Sequence, residues 1–313
     1  MFGYSNDSLW LLRVFCLDIF KIRLINSLLK LYFVIVAVLT MVQTVMFLQK
    51  SNTQYFLKYL PAYFLSVFIL LVMYFSSKLV ECASTYMKNL DPWPINQFGP
   101  VLERQIKYHA NYFNISTTVT TAVSFISGIF HALPVENDEE IMFTLAFFQE
   151  YFPGWKNCLS AVYRLGFLVV PFVMPAPFHI IIYVVCHCQH QIFMLLRILE
   201  KNNKMAKSHQ NQLLQDEKYQ KRVTQTFKFF VKRHCHLMKN GREILNQLRV
   251  FIFVVSTSVV GLFICGAIYI SSVLVAGYLK GRYLRLVTLI IPVVLIFVHV
   301  FFLGQRIEDM VIM

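Results

Sequence analysis

Six long apolar stretches of this sequence hold no Asp, Glu, Lys or Arg: 31–49, 59–77, 112–133, 165–185, 250–279 and 286–303. Ion pumps and proton-coupled transporters carry ionisable groups in their spans, so this absence argues against coupled transport. Any site between the stretches suits a neutral, apolar ligand. Charge is scarce throughout. Charged residues are 14% of the 313 and hydrophobic residues 57%, against about 25% and about 45–50% in an ordinary soluble chain. A soluble globular domain, a disordered chain and a coiled coil are excluded. The seven cysteines (Cys16, Cys82, Cys158, Cys186, Cys188, Cys235, Cys265) are odd in number and fall mostly in or near predicted helices or loops assigned to the inner side. They do not make an extracellular disulfide framework. The N-terminus lacks a short apolar run before a small-residue cleavage site, so the first span is expected to be the insertion signal.

Several chemistries lack their residues. There is no glycine-rich phosphate loop, no Ser-His-Asp set on a nucleophile elbow and no paired carboxylate within a span, so no enzyme is expected. Cys186-His187-Cys188-Gln189-His190 and His234-Cys235-His236 invite a metal reading. Zinc needs four ligands converging tetrahedrally, whereas adjacent residues on a helix point about 100° apart. Interfacial histidines are the simpler reading, and neither metal nor cofactor is expected. The net charge of +13 comes with no recognisable nucleic-acid reader, so nucleic acid is not an expected partner. Asn114-Ile115-Ser116 is a glycosylation sequon, but it lies at the inner end of the third span and is expected to be unused.

What is present is length and aromatic weight. A helix crosses the hydrocarbon layer with about 20 apolar residues at about 1.5 Å each, and all six stretches are of that order. Mean hydropathy is +0.58, with 30 Phe and 16 Tyr. The expectation is an all-α polytopic membrane protein forming one membrane domain over 1–313. Placing the N-terminus inside puts 22 Lys and Arg on the inner side and 7 on the outer side. Thirteen of the 22 lie in one basic loop, 197–249, and the other positions scarcely discriminate. Past the polar centre of that loop, Val223, Phe227, Phe230, Val231, Leu237, Met238 and Ile244 recur mainly at three- and four-residue spacing. They predict an amphipathic helix that runs without proline into the fifth span and needs a partner or the membrane surface for its apolar face.

The segment 133–164, outside in this arrangement, contains an apolar run, 141–148, between Pro134 and Pro153. It reads equally as a lid over a pocket mouth or as an interfacial segment. The third span is the least apolar, with Ser116, Thr117, Thr118, Thr120, Thr121, Ser124 and Ser127. Such hydroxyls mediate close helix packing. Alternatively its outer half, Ser124, Phe125, Ser127, Gly128 and His131, lines a cavity together with Phe64 and Tyr283, which fall near the outer ends of their spans. Aromatic walls with a few hydroxyls are what a small volatile organic ligand requires. Pro171, Pro175 and Pro177 kink the fourth span, and the kink either opens that cavity or is structural alone.

Three local patterns, in order, carry a family resemblance. Phe178-His179-Ile180-Ile181-Ile182-Tyr183 precedes Gln191-Ile192-Phe193-Met194-Leu195-Leu196-Arg197-Ile198-Leu199; Val231-Lys232-Arg233-His234-Cys235-His236-Leu237 precedes an uncharged span; Gly304-Gln305-Arg306-Ile307-Glu308-Asp309 follows the sixth. In these motifs and in layout the chain resembles the insect odorant receptors. Asp-Arg-Tyr and Asn-Pro-x-x-Tyr motifs of the G-protein-coupled kind are absent.

The resemblance implies seven helices with the N-terminus cytoplasmic. It implies a ligand-gated cation channel assembled with a co-receptor subunit in the plasma membrane of olfactory neuron dendrites. Odorant would sit in the outer half, and the cytoplasmic helix ends would form the subunit anchor, here Phe227, Phe230, Val231, Leu237 and Ile244. Six of the seven expected spans are found, and Met310-Val311-Ile312-Met313 stands where the seventh would continue, so the expectation is a chain truncated before that helix. The alternatives are a gustatory receptor of the same superfamily and, behind it, a multi-pass solute transporter, for which internal repeats are lacking.

Overall fold

The computed structural model describes residues 7–90, 93, 95, 99–208 and 217–275, together with 285, 290–291, 294–295, 298 and 301. Among them every regular element is helical and no strand occurs. Short helical pieces, Trp10–Arg13, Val14–Asp18 and Ile19–Lys21, lead into α1 (Arg23–Lys50), α2 (Thr53–Leu90) and α3 (Pro100–Ala132). Then come α4 (Phe143–Tyr151), α5 (Lys156–Leu165), α6 (Val170–Val173), α7 (Ala176–Ser208) and α8 (Glu217–Val275).

Local chemistry sets the boundaries. α1 stops at Ser51, which takes a left-handed φ of 43° while its N–H bonds Phe47 O. Asn52 Oδ1 then accepts from Gln54 N at 2.9 Å and Tyr55 N at 3.4 Å, which caps α2 at once. Two residues thus reverse the chain. Gly99, at φ 92°, and Pro100 at the first helical position open α3. The fourth apolar stretch is broken as its prolines predict: α5, a tight turn at Gly166–Leu168, and α6 precede the long α7. Each proline removes a backbone donor and crowds the preceding turn. The amphipathic helix of the basic loop is continuous with the fifth apolar stretch in α8, whose 59 residues extend roughly 88 Å.

α1 shows which solvent the bundle is built for. Leu24, Leu28, Leu31, Val38, Met41 and Leu48, on its outward side, are 55–75% exposed, while Thr40 and Gln43 are buried at 8% and 3%. The inward polar groups are satisfied: Thr40 Oγ1 donates to Val36 O at 2.7 Å and Gln43 Nε2 to Tyr59 O at 3.3 Å. A continuous apolar outer stripe of this size calls for lipid or a partner. Four helical stretches, Arg23–Lys50, Thr53–Leu90, Pro100–Ala132 and Pro153–Glu200, are long and apolar enough to cross a membrane. Of the sequence-predicted fifth and sixth spans, 276–279 and most of 286–303 lie outside the described residues.

The bundle has two unlike ends. At the near end the N-terminal pieces wedge between helices, burying Leu9, Leu12, Cys16 and Leu17 against Leu79 and Ala83 of α2, Phe113 of α3 and Ile180 and Tyr183 of α7. At the far end α4 folds back over the α1–α2 turn, where Phe143 packs on Met46 and Tyr59. The apolar run 141–148 therefore lies against the helices rather than apart from them.

Candidate functional site

α3 presents its buried hydroxyls along one face. Thr117, Thr120, Thr121, Ser124 and Ser127 are 1–8% exposed, and their three- and four-residue spacing follows the helical repeat. Ser and Thr in a helix usually return a hydrogen bond to their own backbone, as Thr118 Oγ1 does to Asn114 O at 2.8 Å. Thr120 and Thr121 depart from this: both Oγ1 atoms are buried without a hydrogen-bond partner among the described residues. A buried hydroxyl without a partner is costly, which marks these two for attention.

The far half of this face meets the proline-broken segment. The Phe125 ring, 37% exposed, lies 5.7 Å from Phe172. The His131 ring lies 5.9 Å from Phe167, and its Nδ1 is 2.8 Å from Ser127 O. Gly128 is a packing position: a Cβ there would overlap Phe167 O and come within 2.7 Å of Pro171 Cγ. Phe64 is half-buried on α2, and Phe68 and Val72 farther along that helix pack on Val173 of the same broken segment. Ser124, Phe125, Ser127, Gly128 and His131 are thus brought to one seam. Tyr283 lies outside the described residues.

Above the seam a charge clamp ties the far end together. Asp138 is 1% exposed and Arg285 2%. Arg285 Nη1 bonds Asp138 Oδ1 at 2.7 Å, its Nε donates to Phe130 O at 2.8 Å, and Nη2 reaches Leu133 O. Arg164 Nη2 lies 2.7 Å from Asp138 Oδ2, and Val135 N donates to the same oxygen at 3.1 Å. Burial alone raises the Asp138 pKa, but the hydrogen bonds from Arg285 and Arg164 outweigh it and hold the carboxyl below its ordinary value.

The near end has its own buried carboxylate. Asp7 Oδ2 accepts from Tyr183 Oη at 3.0 Å and Oδ1 from Leu9 N at 2.9 Å. His187 Nε2 sits 3.3 Å from Oδ1. Burial works to raise the Asp7 pKa; His187, Leu9 and Tyr183 more than offset it and bring it to about 2. Asn114 joins this region: its Nδ2 donates to Ser8 O at 2.8 Å and its Oδ1 accepts from Leu12 N at 3.3 Å. With both amide atoms engaged and the residue 5% exposed, the sequon asparagine serves to fasten the N-terminal segment.

The proposed anchor residues divide. Phe227 and Val231 are 61% and 45% exposed and line a furrow of about 590 Å³ on α8. Leu237 is buried in the near-end core and Phe230 packs against it. The side chain of Ile244 lies outside the described residues. Arg233 is the docking residue that sequence reasoning missed, although it stands within a quoted motif. Its Nη2 donates to Leu90 O at 2.9 Å and Gln191 Oε1 at 3.2 Å, and its guanidinium lies over Trp93. Asp138 and Arg285 were missed too, for nothing local separates them from neighbouring charges, and Asp7 was missed because its partner Tyr183 is remote in sequence. Thr120 and Thr121 were outside the expected pocket, although they continue the spacing of Ser124 and Ser127.

These features describe an α-helical bundle with four helices suited to a bilayer and a hydroxyl-lined seam beneath a clamped loop. Comparison with protein-family models, curated proteins and solved structures finds no match for the chain.

Proposed function

We propose that the chain is a receptor subunit of the odorant-receptor type. It takes a small volatile ligand at the seam between α3 and the proline-broken segment and gates cation current with a co-receptor subunit. The observation that supports this reading is the hydroxyl strip itself: Thr120, Thr121, Ser124 and Ser127 are buried along α3, whose far half meets Phe167 and Phe172, and two of the hydroxyls have no partner among the described residues. A neutral molecule with one or two hydrogen-bonding atoms suits such a strip, and a charged solute does not.

In this reading the chain crosses the plasma membrane six times, the near end is cytoplasmic, and the loop held by Asp138 roofs the ligand. The exposed Phe227 and Val231 face is where the co-receptor would dock.

The test is a panel of volatile alcohols, esters and hydrocarbons applied to cells expressing the chain with its co-receptor, with binding to the purified chain measured in parallel. Thr121→Val and Phe125→Ala are expected to reorder the panel, shifting individual ligands by roughly 10–200-fold. Uniform changes across all ligands would assign the strip to packing. A tag placed between 201 and 216 is expected to be antibody-accessible only after permeabilisation, and labelling of intact cells would reverse the orientation.

A further inference from the structure

A second groove, at the near end, has a different chemistry. It occupies about 450 Å³ between the N-terminal segment and the start of α3, and Ser8, Trp10, Arg104, Lys107, Tyr108 and Asn111 line it, with Asn114 at its floor. Lys107 and Tyr108 each stand three or four residues from both Arg104 and Asn111, so a single face of α3 supplies all four. Arg104 is exposed and has no hydrogen-bond or ion-pair partner among the described residues. Lys107 is shared with Glu103, at 2.6 Å. Ser8 Oγ is buried without a partner among the described residues. Unengaged donors therefore converge on one basic recess.

What adjoins the recess decides what it fits. Trp10 and Tyr108 stand at its rim, 46% and 76% exposed, and the same side of α3 continues as Tyr112, Ile115 and Val119, all 46–54% exposed. These three lie within the apolar stretch 112–133, one to three turns beyond the cationic groups. Amphipathic aromatics are favoured at the boundary between headgroups and hydrocarbon. A free anion has no use for an apolar track leading away from its site, whereas a phospholipid needs both parts.

We propose that this groove binds the headgroup of an anionic phospholipid. Its phosphate lies against Arg104 and Lys107, Asn111 and Ser8 supply further donors, and one acyl chain runs along Tyr112, Ile115 and Val119. The inference rests on the reading that the chain spans a bilayer with its near end cytoplasmic, the side where anionic lipids concentrate. Bound there, the lipid would brace the N-terminal segment against α3.

The experiment is native mass spectrometry of the full chain in detergent micelles, with phosphatidylserine, phosphatidylcholine, deacylated glycerophosphoserine and inorganic phosphate added separately. One phosphatidylserine is expected to remain bound at concentrations where the other three do not. Arg104→Gln with Lys107→Gln is expected to weaken it roughly 10–30-fold. Glu103→Gln, which releases Lys107, is expected to strengthen it, a gain that misfolding cannot imitate. Lys221→Gln with Arg222→Gln, a control pair on α8, should leave retention unchanged. The proposal is overturned by equal retention of phosphatidylcholine, by equally tight binding of phosphate or the deacylated headgroup, or by equal loss in the control pair. Both sides of the protein are accessible in micelles, so a negative result here is separate from the orientation tested by tag labelling.

Discussion

Asp138 at the far end and Asp7 at the near end are both buried carboxylates, yet they are compensated in different ways. Asp138 lies between two guanidinium groups, Arg285 and Arg164, at 2.7 Å each. Asp7 relies on a phenol, a backbone N–H and an imidazole, with Arg13 more distant at 3.7 Å. The far end thus uses full opposite charges to join the end of α3, the loop after it and Arg285. The near end uses hydrogen bonds to seat a short N-terminal segment on a core that is already apolar. Losing the carboxylate should therefore have different consequences at the two ends. At the far end it strands a buried cation, and at the near end it leaves dipoles that can partly reorient.

The largest expected effect is that of Asp138→Asn. Breaking a buried pair by removing one partner costs about 3–5 kcal/mol, read as lowered thermal stability of the purified chain in detergent. Replacing Asp138 and Arg285 together, Asp138→Leu with Arg285→Met, is expected to recover part of that loss, because the desolvation cost of that pair disappears while Arg164 still loses its carboxylate. If Asp138→Asn proves no worse than Asp7→Asn, the contrast between the two ends is wrong.

Asp7→Asn is expected to cost about 2 kcal/mol at neutral pH. The folded-state pKa of about 2 stands below the ordinary 3.8, and each pKa unit corresponds to about 1.4 kcal/mol. With the folded pKa depressed, the contribution is complete above the unfolded value and is lost as pH falls from about 4 towards 2. Unfolding measured across that range should show the slope in the parent chain and a reduced slope in Asp7→Asn. An unchanged slope would remove Asp7 from the account.

Gly128→Ala sharpens the comparison by disturbing the far half without touching charge. Its Cβ would overlap Phe167 O, and overpacking of this kind is expected to cost about 1–2 kcal/mol. The loss should be the same at pH 2 and pH 7, unlike that of either carboxylate. Smallest of all is Phe227→Ser on the exposed face of α8. Its effect on unfolding should stay within about 0.5 kcal/mol, while self-association in detergent, followed by size-exclusion chromatography, should fall.

The helices were legible because their signals are local. Uncharged runs marked α1, α2 and α3, and Pro171, Pro175 and Pro177 foretold a kinked fourth stretch. The unbroken passage from the amphipathic loop helix into the fifth stretch was equally readable, since no proline or glycine-rich turn interrupts it. Part of the candidate seam was legible for the same reason, through the helical spacing of Ser124 and Ser127. That spacing also leads to Thr120 and Thr121, whose missing hydrogen bonds it cannot reveal.

The sequence by itself determined helix content, the suitability of the apolar stretches for a bilayer, and the face of α3 that carries hydroxyls. All three follow from residues within a few turns of one another. Only the tertiary structure decided that Asp138, in a run with Glu136, Glu139 and Glu140, is the carboxylate buried against Arg285. It alone decided that Asp7 meets Tyr183, that Asn114 fastens the N-terminal segment, and that Gly128 is a point of helix contact. The anchor candidates were likewise separated only by packing, which buries Leu237 and leaves Phe227 exposed. The physical reason is range: helical periodicity couples residues three or four apart, whereas Arg285 and Asp138 are 147 positions apart and Tyr183 and Asp7 are 176 apart. Such partners are selected by how the helices pack, and no local pattern encodes that choice.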